Sequence, residues 1–314
     1  MTDRAEQTSP PSYPAPPDWP GPSDPGTPAG RPWGRWLIIG TVVWAVLLVG
    51  LSYLSMRRDE PTVREQRTLT QAQPVVSRAI GELVRAAGTE AVLELVEPRL
   101  TSGCRVTTFR DGATLERDLI VRTTPDRVDP LLATIADRLP AGYRAGIRPD
   151  RDGNGNGGNG DGGNGNGGGG GPTLRADAGD FVAVSGRSTG PGVLRFTATT
   201  GCRPVEPDLA LADLLPGLGV DDQPGQVLAA LGASEVAPAG RVSVACPGGG
   251  QAHTARATGV AAPAAPSPAE ILPDPDGPVA AANPELYAFR DGPRSIVIES
   301  VDGDLRAAVT TDCA

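Results

Sequence analysis

No lysine occurs anywhere in the 314 residues; all 28 residues of the Lys+Arg count are arginines. A P-loop lysine, a Schiff-base lysine and the S-x-x-K nucleophile are therefore excluded. Histidine is nearly absent as well. His253 is the single one, so H-E-x-x-H and other multi-histidine zinc sites cannot be built, and carboxylate-bound hard cations are the metals that remain. Aromatic residues make up 4% of the chain, and no run of basic residues offsets the net charge of -9. That balance argues against nucleic acid, whose phosphates need a positive face. The 4 cysteines contain no C-x-x-C pair, which speaks against dithiol redox exchange. What is abundant is Gly and Pro, 42 and 33 residues, so much of the chain cannot be packed core. The arginine-only, Ala/Gly/Pro-heavy composition fits a GC-rich bacterial genome.

One long apolar run stands out. Trp36 to Met56 reads WLIIGTVVWAVLLVGLSYLSM, uncharged and long enough to rise roughly 31 Å as a helix, the thickness of a bilayer's hydrocarbon core. Trp33, Trp36 and Tyr53 sit where amphipathic rings prefer the interface, and Arg35, Arg57 and Arg58 close the two ends. No A-x-A-like cleavage site and no lipobox cysteine follows it, so the expected form is an uncleaved signal anchor. The charge count pulls the other way: Arg31 and Arg35 precede the span, whereas Arg57, Arg58, Arg64 and Arg67 follow it. Against that count stand Cys104, Cys202, Cys246 and Cys313, all beyond the span, as structural disulfides in an oxidising compartment would be. The expected topology is a single-pass membrane protein with its N-terminus in the cytoplasm and its C-terminal region outside.

The expected organisation is a Pro-rich disordered tail over 1–35, the span over 36–56, a juxtamembrane helix and first α+β module over 57–206, and a second, degenerate α+β module over 207–314. The two modules rest on a weak internal repeat. Leu194 to Cys202 reads LRFTATTGC and Leu305 to Cys313 reads LRAAVTTDC, each after a β-rich segment and a turn. Gln73-Pro74 opens an apolar-periodic helix through Val76, Ile80, Leu83, Val84 and Ala87, and Gln223-Pro224 opens a shorter one through Val227, Leu228 and Leu231. The alignment favours Cys104 with Cys202 and Cys246 with Cys313, one of three possible connectivities. In the first module, strands are expected at 104–109 and 114–122 around a turn at Asp111-Gly112, then a helix from Pro125 to Leu139 with Thr124 as N-cap, then strands near 143–147, 181–185 and 193–199. The counterpart of that helix is reduced to a turn near 269–272. Gly153 to Gly171 holds 13 Gly, 5 Asn and 1 Asp. This Gly/Asn-rich insertion, 149–172, reads as the expanded tip of a hairpin.

Four motifs offer chemistry. Asp150 to Asp161, DRDGNGNGGNGD, resembles the calcium loop of EF-hand proteins. Asp150, Asp152 and Asn154 occupy its first, third and fifth positions, Gly155 its sixth, Asn156 offers a carbonyl, and Asp161 stands at the last. It departs from the family in having Gly157 for the aliphatic anchor, Asp161 for the bidentate Glu, and no flanking helices. Calcium is thus the single cofactor the sequence suggests, and the site would be weak. Gly186-Arg187-Ser188-Thr189-Gly190 matches G-x-S-x-G, but Pro191-Gly192 leads straight into another strand instead of the helix that a nucleophile elbow requires. His253 reads as a surface histidine on an exposed strand. Asp111, Glu116, Asp118, Asp302 and Asp304 are the carboxylates from which a glycosidase-like acid/base pair would have to come. Acidic residues at turns and on outward strand faces are the simpler account. The expected function is therefore a non-enzymatic, membrane-anchored ectodomain binding an envelope protein or wall component, with a carboxylate-dependent hydrolase of envelope material as the alternative.

Overall fold

The computed structural model describes residues 33–58, 67–108, 110–149, 171–206, 209, 221–262, 267–272 and 275–313. Two compact units divide the chain, residues 1–60 and 61–314. In the first, helix α1 runs from Trp33 to Arg58. Its window Trp36–Tyr53 has mean hydropathy 2.1 and none of it is buried. By length and composition this helix can cross a membrane. The Pro-rich tail lies outside the described residues.

The second unit begins with helix α2, Leu69–Ala87. Its start is set by a capping box: Gln71 N–H donates to the Thr68 hydroxyl, and Thr68 N–H donates to the Gln71 side chain. The helix thus begins before Gln73-Pro74, where the sequence places it, and Pro74 lies inside it. Leu69, Ala72, Val76, Ile80, Leu83 and Ala87 recur at helical spacing and are all buried.

An eight-stranded antiparallel sheet follows, made of β1 (Val92–Leu95), β2 (Arg99–Thr107), β3 (Arg110–Arg122), β4 (Gly146–Arg148), β5 (Thr173–Asp177), β6 (Ala183–Gly190), β7 (Val193–Thr199) and β8 (Arg203–Pro204). The strand order is β1-β3-β7-β6-β5-β4, with β2 and β8 also paired to β3. The expected turn at Asp111-Gly112 is instead strand: Asp111 pairs with Arg105 and Gly112 with Cys104. Gly112 is required there, because a Cβ would lie 2.3 Å from the Arg203 carbonyl oxygen of β8. The expected helix from Pro125 is a 3₁₀ turn, Pro125–Arg127, followed by α3, Val128–Arg138, and Thr124 makes no side-chain cap. Strand β5 carries no strong alternating pattern and was not expected. Because it pairs with β4 through Arg148 and Thr173, the Gly/Asn-rich segment joins two neighbouring antiparallel strands. That segment itself, 150–170, lies outside the described residues.

After α4 (Gln223–Ala230) comes a six-stranded antiparallel sheet of β9 (Ser234–Ala245), β10 (Gln251–Val260), β11 (Val279–Ala282), β12 (Leu286–Asp291), β13 (Arg294–Val301) and β14 (Asp304–Thr311), with the one-turn helix α5 (Pro268–Ile271) between β10 and β11. Its order, β11-β12-β13-β14-β10-β9, repeats that of β4-β5-β6-β7-β3-β2 in the first sheet. Cys104 is bonded to Cys202 and Cys246 to Cys313.

The two halves share a core. Helices α2 and α3 cover one face of the first sheet, over Leu119, Val121, Leu194 and Phe196, and the same cluster takes in Val242, Val244 and Ala252 from the second sheet. At Gly81 of α2 a Cβ would lie 2.0 Å from the Ala245 carbonyl oxygen, so a glycine is needed for the helix to meet the end of β9. A second core lies under α4, where Leu228 and Leu231 meet Tyr287, Phe289, Ile298 and Val309. Strand β1 completes the junction. Val92 packs on Ala288, Val297 and Ala308, while Leu93 N–H donates to the Ser295 hydroxyl and Leu95 N–H to Thr254. Hydroxyls of the second sheet thereby satisfy donors on the edge of the first, an edge that would otherwise be exposed to pairing.

Arg117 is the anomaly of the first core. It is 2% exposed on the α2-covered face of β3, it donates to the Ser77 hydroxyl, and its Nη2 has no partner among the described residues. Burial lowers its pKa to about 10. Since a desolvated charge with no counter-ion among the described residues destabilises the fold, Arg117→Met should raise stability by about 1–2 kcal/mol. Urea unfolding of the purified protein checks this, and a loss of stability would point to an anionic partner for Arg117.

Candidate functional site

The site is a cleft at the junction of the two sheets. Glu94 faces outward from β1, on the side of the first sheet away from α2, opposite Ile120 of β3. Arg122, two residues along β3, shares that face. Across the junction the second sheet contributes Arg256 of β10, Glu299 of β13 and Arg306 of β14, and Arg306 stands in register with both Thr258 and Glu299. Together with Ala239 and Thr258, Glu94, Arg256, Glu299 and Arg306 line a cavity of about 320 Å³.

The charges are ordered by geometry. Arg122 spans the junction, donating from Nη1 to Glu94 Oε2 at 3.3 Å and from Nη2 to Glu299 Oε1 at 2.8 Å. Glu94 Oε1 accepts from Arg256 at 3.1 Å, and Arg256 also donates to the Leu95 carbonyl. Arg122 Nε and Arg256 Nη1 are buried donors with no acceptor among the described residues. Arg306 is exposed and makes no ion pair among them. Three guanidinium groups thus face two carboxylates, both of which already hold Arg122. The surplus is positive, and Thr258 stands in register beside it. Such an arrangement suits capture of a carboxylate or phosphate by a planar guanidinium fork, and it leaves no unengaged carboxylate for proton transfer.

The residues singled out in the sequence lie elsewhere. Asp150, Asp152, Asn154, Asn156 and Asp161, the calcium candidates, fall outside the described residues. Glu116 and Asp118 are neighbours on the outer face of β3, but Arg99 bridges them at 3.0 and 3.3 Å, and Asp118 also accepts from Thr197 and Arg195. Asp302 and Asp304 lie at the β13–β14 turn, and Asp111 is in β3, so these acids do not converge on one place. Ser188 sits near the end of β6 and its hydroxyl donates to the Gly190 carbonyl, with β7 following, so no nucleophile elbow is present.

His253 needs correction. It is not on an open surface: its side chain is 17% exposed, with Nε2 3.2 Å from Asp221 Oδ2 and Nδ1 2.9 Å from the Thr311 hydroxyl. Hydroxyl, imidazole and carboxylate stand in the order that nucleophilic catalysis uses. Each partner, however, is engaged locally. The Thr311 hydroxyl accepts His253 N–H within a cross-strand pair, and Asp221 Oδ1 accepts Gln223 N–H at the start of α4. The trio ties α4 to β10 and β14. Asp221 escapes a sequence reading because it is brought over β10 from 32 positions away.

The cleft residues were missed for the same reason. Glu94 and Arg256 are 162 positions apart and Arg122 and Glu299 are 177. Local pattern marks them as outward-facing charges on strands, and the tertiary junction alone makes them a site. No family model matches the chain, and comparison with curated proteins and with solved structures finds none that does.

Proposed function

We propose that this protein is a membrane-anchored, exported binding module of a bacterial cell envelope. Helix α1 is its uncleaved signal anchor, the N-terminus is cytoplasmic, and residues 61–314 face outward and hold an anionic envelope component in the cleft. The observation that carries this reading is the surplus guanidinium of Arg306 in a cavity whose two carboxylates are already engaged. Two disulfides support an oxidising location, and large domains are translocated even when arginines follow the span.

Two measurements test the reading. On intact cells an impermeant maleimide should label the cysteines only after reduction; labelling that requires lysis places the domain inside and ends the proposal. Purified full-length protein in detergent should co-sediment with isolated envelope material, and Arg306→Glu should weaken that retention about tenfold or more, the effect of losing a charge-assisted contact worth roughly 1.5–3 kcal/mol and adding a repulsive one. Equal retention of the variant would remove the cleft from the function.

A further inference from the structure

The outer face of the first sheet carries a row of side chains that leads into the cleft. Strand register sets Arg148 of β4 beside Thr173 of β5, Arg187 of β6 beside Arg195 of β7, Arg195 beside Ile120 of β3, and Ile120 beside Glu94 of β1, while the β5–β6 ladder ends at Leu174 and Gly186, one residue short of Thr173 and Arg187. Arg148 and Arg187 are exposed and make no ion pair among the described residues. Helices α2 and α3 cover the opposite face, and on this face the second sheet packs against the β1 end, where Val92 meets Ala288, Val297 and Ala308. The row ends at Glu94, the residue at the mouth of the cleft that Arg122 and Arg256 hold. At about 4.8 Å between neighbouring strands, it spans roughly 24 Å, with the exposed Arg175 of β5 beside it.

We infer that a linear, base-free phosphodiester polymer lies along this row, crossing Arg148 and Arg187 and reaching Arg306 in the cleft. The inference rests on the binding reading above and names the chemistry of its ligand. Three features select that chemistry. The exposed guanidinium groups of Arg148 and Arg187, with Arg195 held by Asp118 next in line, suit a thread that carries charge at intervals along its backbone, with two free oxygens for the bidentate fork. In a protein of net charge -9, attraction for a polyanion has to come from local clusters of arginine such as this one. The strands place no aromatic ring on this face, so it offers nothing on which nucleic-acid bases stack.

The test uses the full-length chain in detergent micelles, a synthetic poly(glycerol phosphate) as probe, and binding measured across a salt series. Affinity should fall steeply with salt. The double substitution Arg148→Glu/Arg187→Glu should weaken binding at least about tenfold and lower the salt slope by about 2. Arg78→Glu, on the exposed side of α2, should leave binding unchanged, and an unaltered melting temperature of the double variant excludes unfolding as the cause. Four results would each overturn the inference: no binding by the unsubstituted protein at low salt, equal binding by the double variant, equal affinity for single-stranded DNA or polyglutamate of matched charge, or binding to anionic lipid vesicles in place of the polymer. If the polymer fails while envelope co-sedimentation still depends on Arg306, the binding reading stands and the polymer inference alone falls.

Discussion

Arg290→Met is expected to destabilise residues 61–314 by about 3–5 kcal/mol, the cost of removing one partner from a buried ion pair. Arg290 is 1% exposed on β12. It donates to the carbonyls of Gly88 and Ala91 at 3.3 and 3.0 Å, to the Ser295 hydroxyl, and to Asp312. One side chain thus fastens the stretch that leads from α2 into β1 to the second sheet and to the C-terminal end of β14. Without it, Asp312 is left with a buried charge, and its Oδ1 already lacks a partner among the described residues. Urea unfolding at neutral pH reads the loss. Arg290→Met/Asp312→Leu should lose less than Arg290→Met alone, because the second change removes the stranded carboxylate. A double variant no more stable than the single one would show that the carbonyl contacts, and not the ion pair, carry the effect.

The pH dependence of the same pair has a definite sign. Burial pushes the Asp312 carboxyl above its ordinary 3.8, and the hydrogen bond and charge of Arg290 pull it partly back. A folded-state value above the unfolded one means the folded state binds the proton more tightly. The contribution is fully present below the unfolded value and is lost as pH rises through the folded one. Removing Arg290 lifts the folded value further. The deficit of Arg290→Met should therefore shrink on acidification below about pH 4, where Asp312 is protonated in both states. A deficit that does not change between neutral and acid pH would rule out Asp312 as its source.

What the sequence discloses depends on the range of the interaction. The apolar stripes of α2 and α3 and the matching LRFTATTGC and LRAAVTTDC segments rest on residues close in the chain, and the helices, the paired cysteines and the repeated strand order follow from them. Elements whose stability comes from tertiary contact were misread or missed. Strand β1 is four residues long, and its donors are satisfied by Ser295 and Thr254, some 202 and 159 positions distant. Asp111-Gly112 has the composition of a turn, but β8 returns against it and draws it into the ladder. The cleft is the extreme case. Glu94, Arg122, Arg256, Glu299 and Arg306 each look like an ordinary solvent-facing charge, and their chemistry exists only once β1 is pressed against the second sheet.

Loss of the Cys246–Cys313 bond should have an effect as large as that of Arg290. It joins residues 67 positions apart, and on the chain-entropy account its closure stabilises the folded state by about 4 kcal/mol. The Cys104–Cys202 bond, at a separation of 98, gives a similar figure, so loop length alone does not distinguish the two. Their surroundings do. Cys246 is buried in the main core beside Val244, Cys313 packs against the same cluster, and the backbone of Ala245 presses on Gly81 of α2. Cys104 and Cys202 are only half-buried, and β2 around Cys104 is largely exposed. Cys246→Ser/Cys313→Ser should therefore cost more than Cys104→Ser/Cys202→Ser, since it also sets two hydroxyls against packed apolar side chains. The strands that this bond closes, β9 and β14, flank β10, and β10 and β14 carry Arg256 and Arg306. Its removal should lower retention on envelope material as well as the urea midpoint, whereas removal of the first bond should lower the midpoint with less effect on retention. Equal losses from the two double variants would show that entropy of the unfolded chain, and not the packing at Gly81, sets what each disulfide contributes.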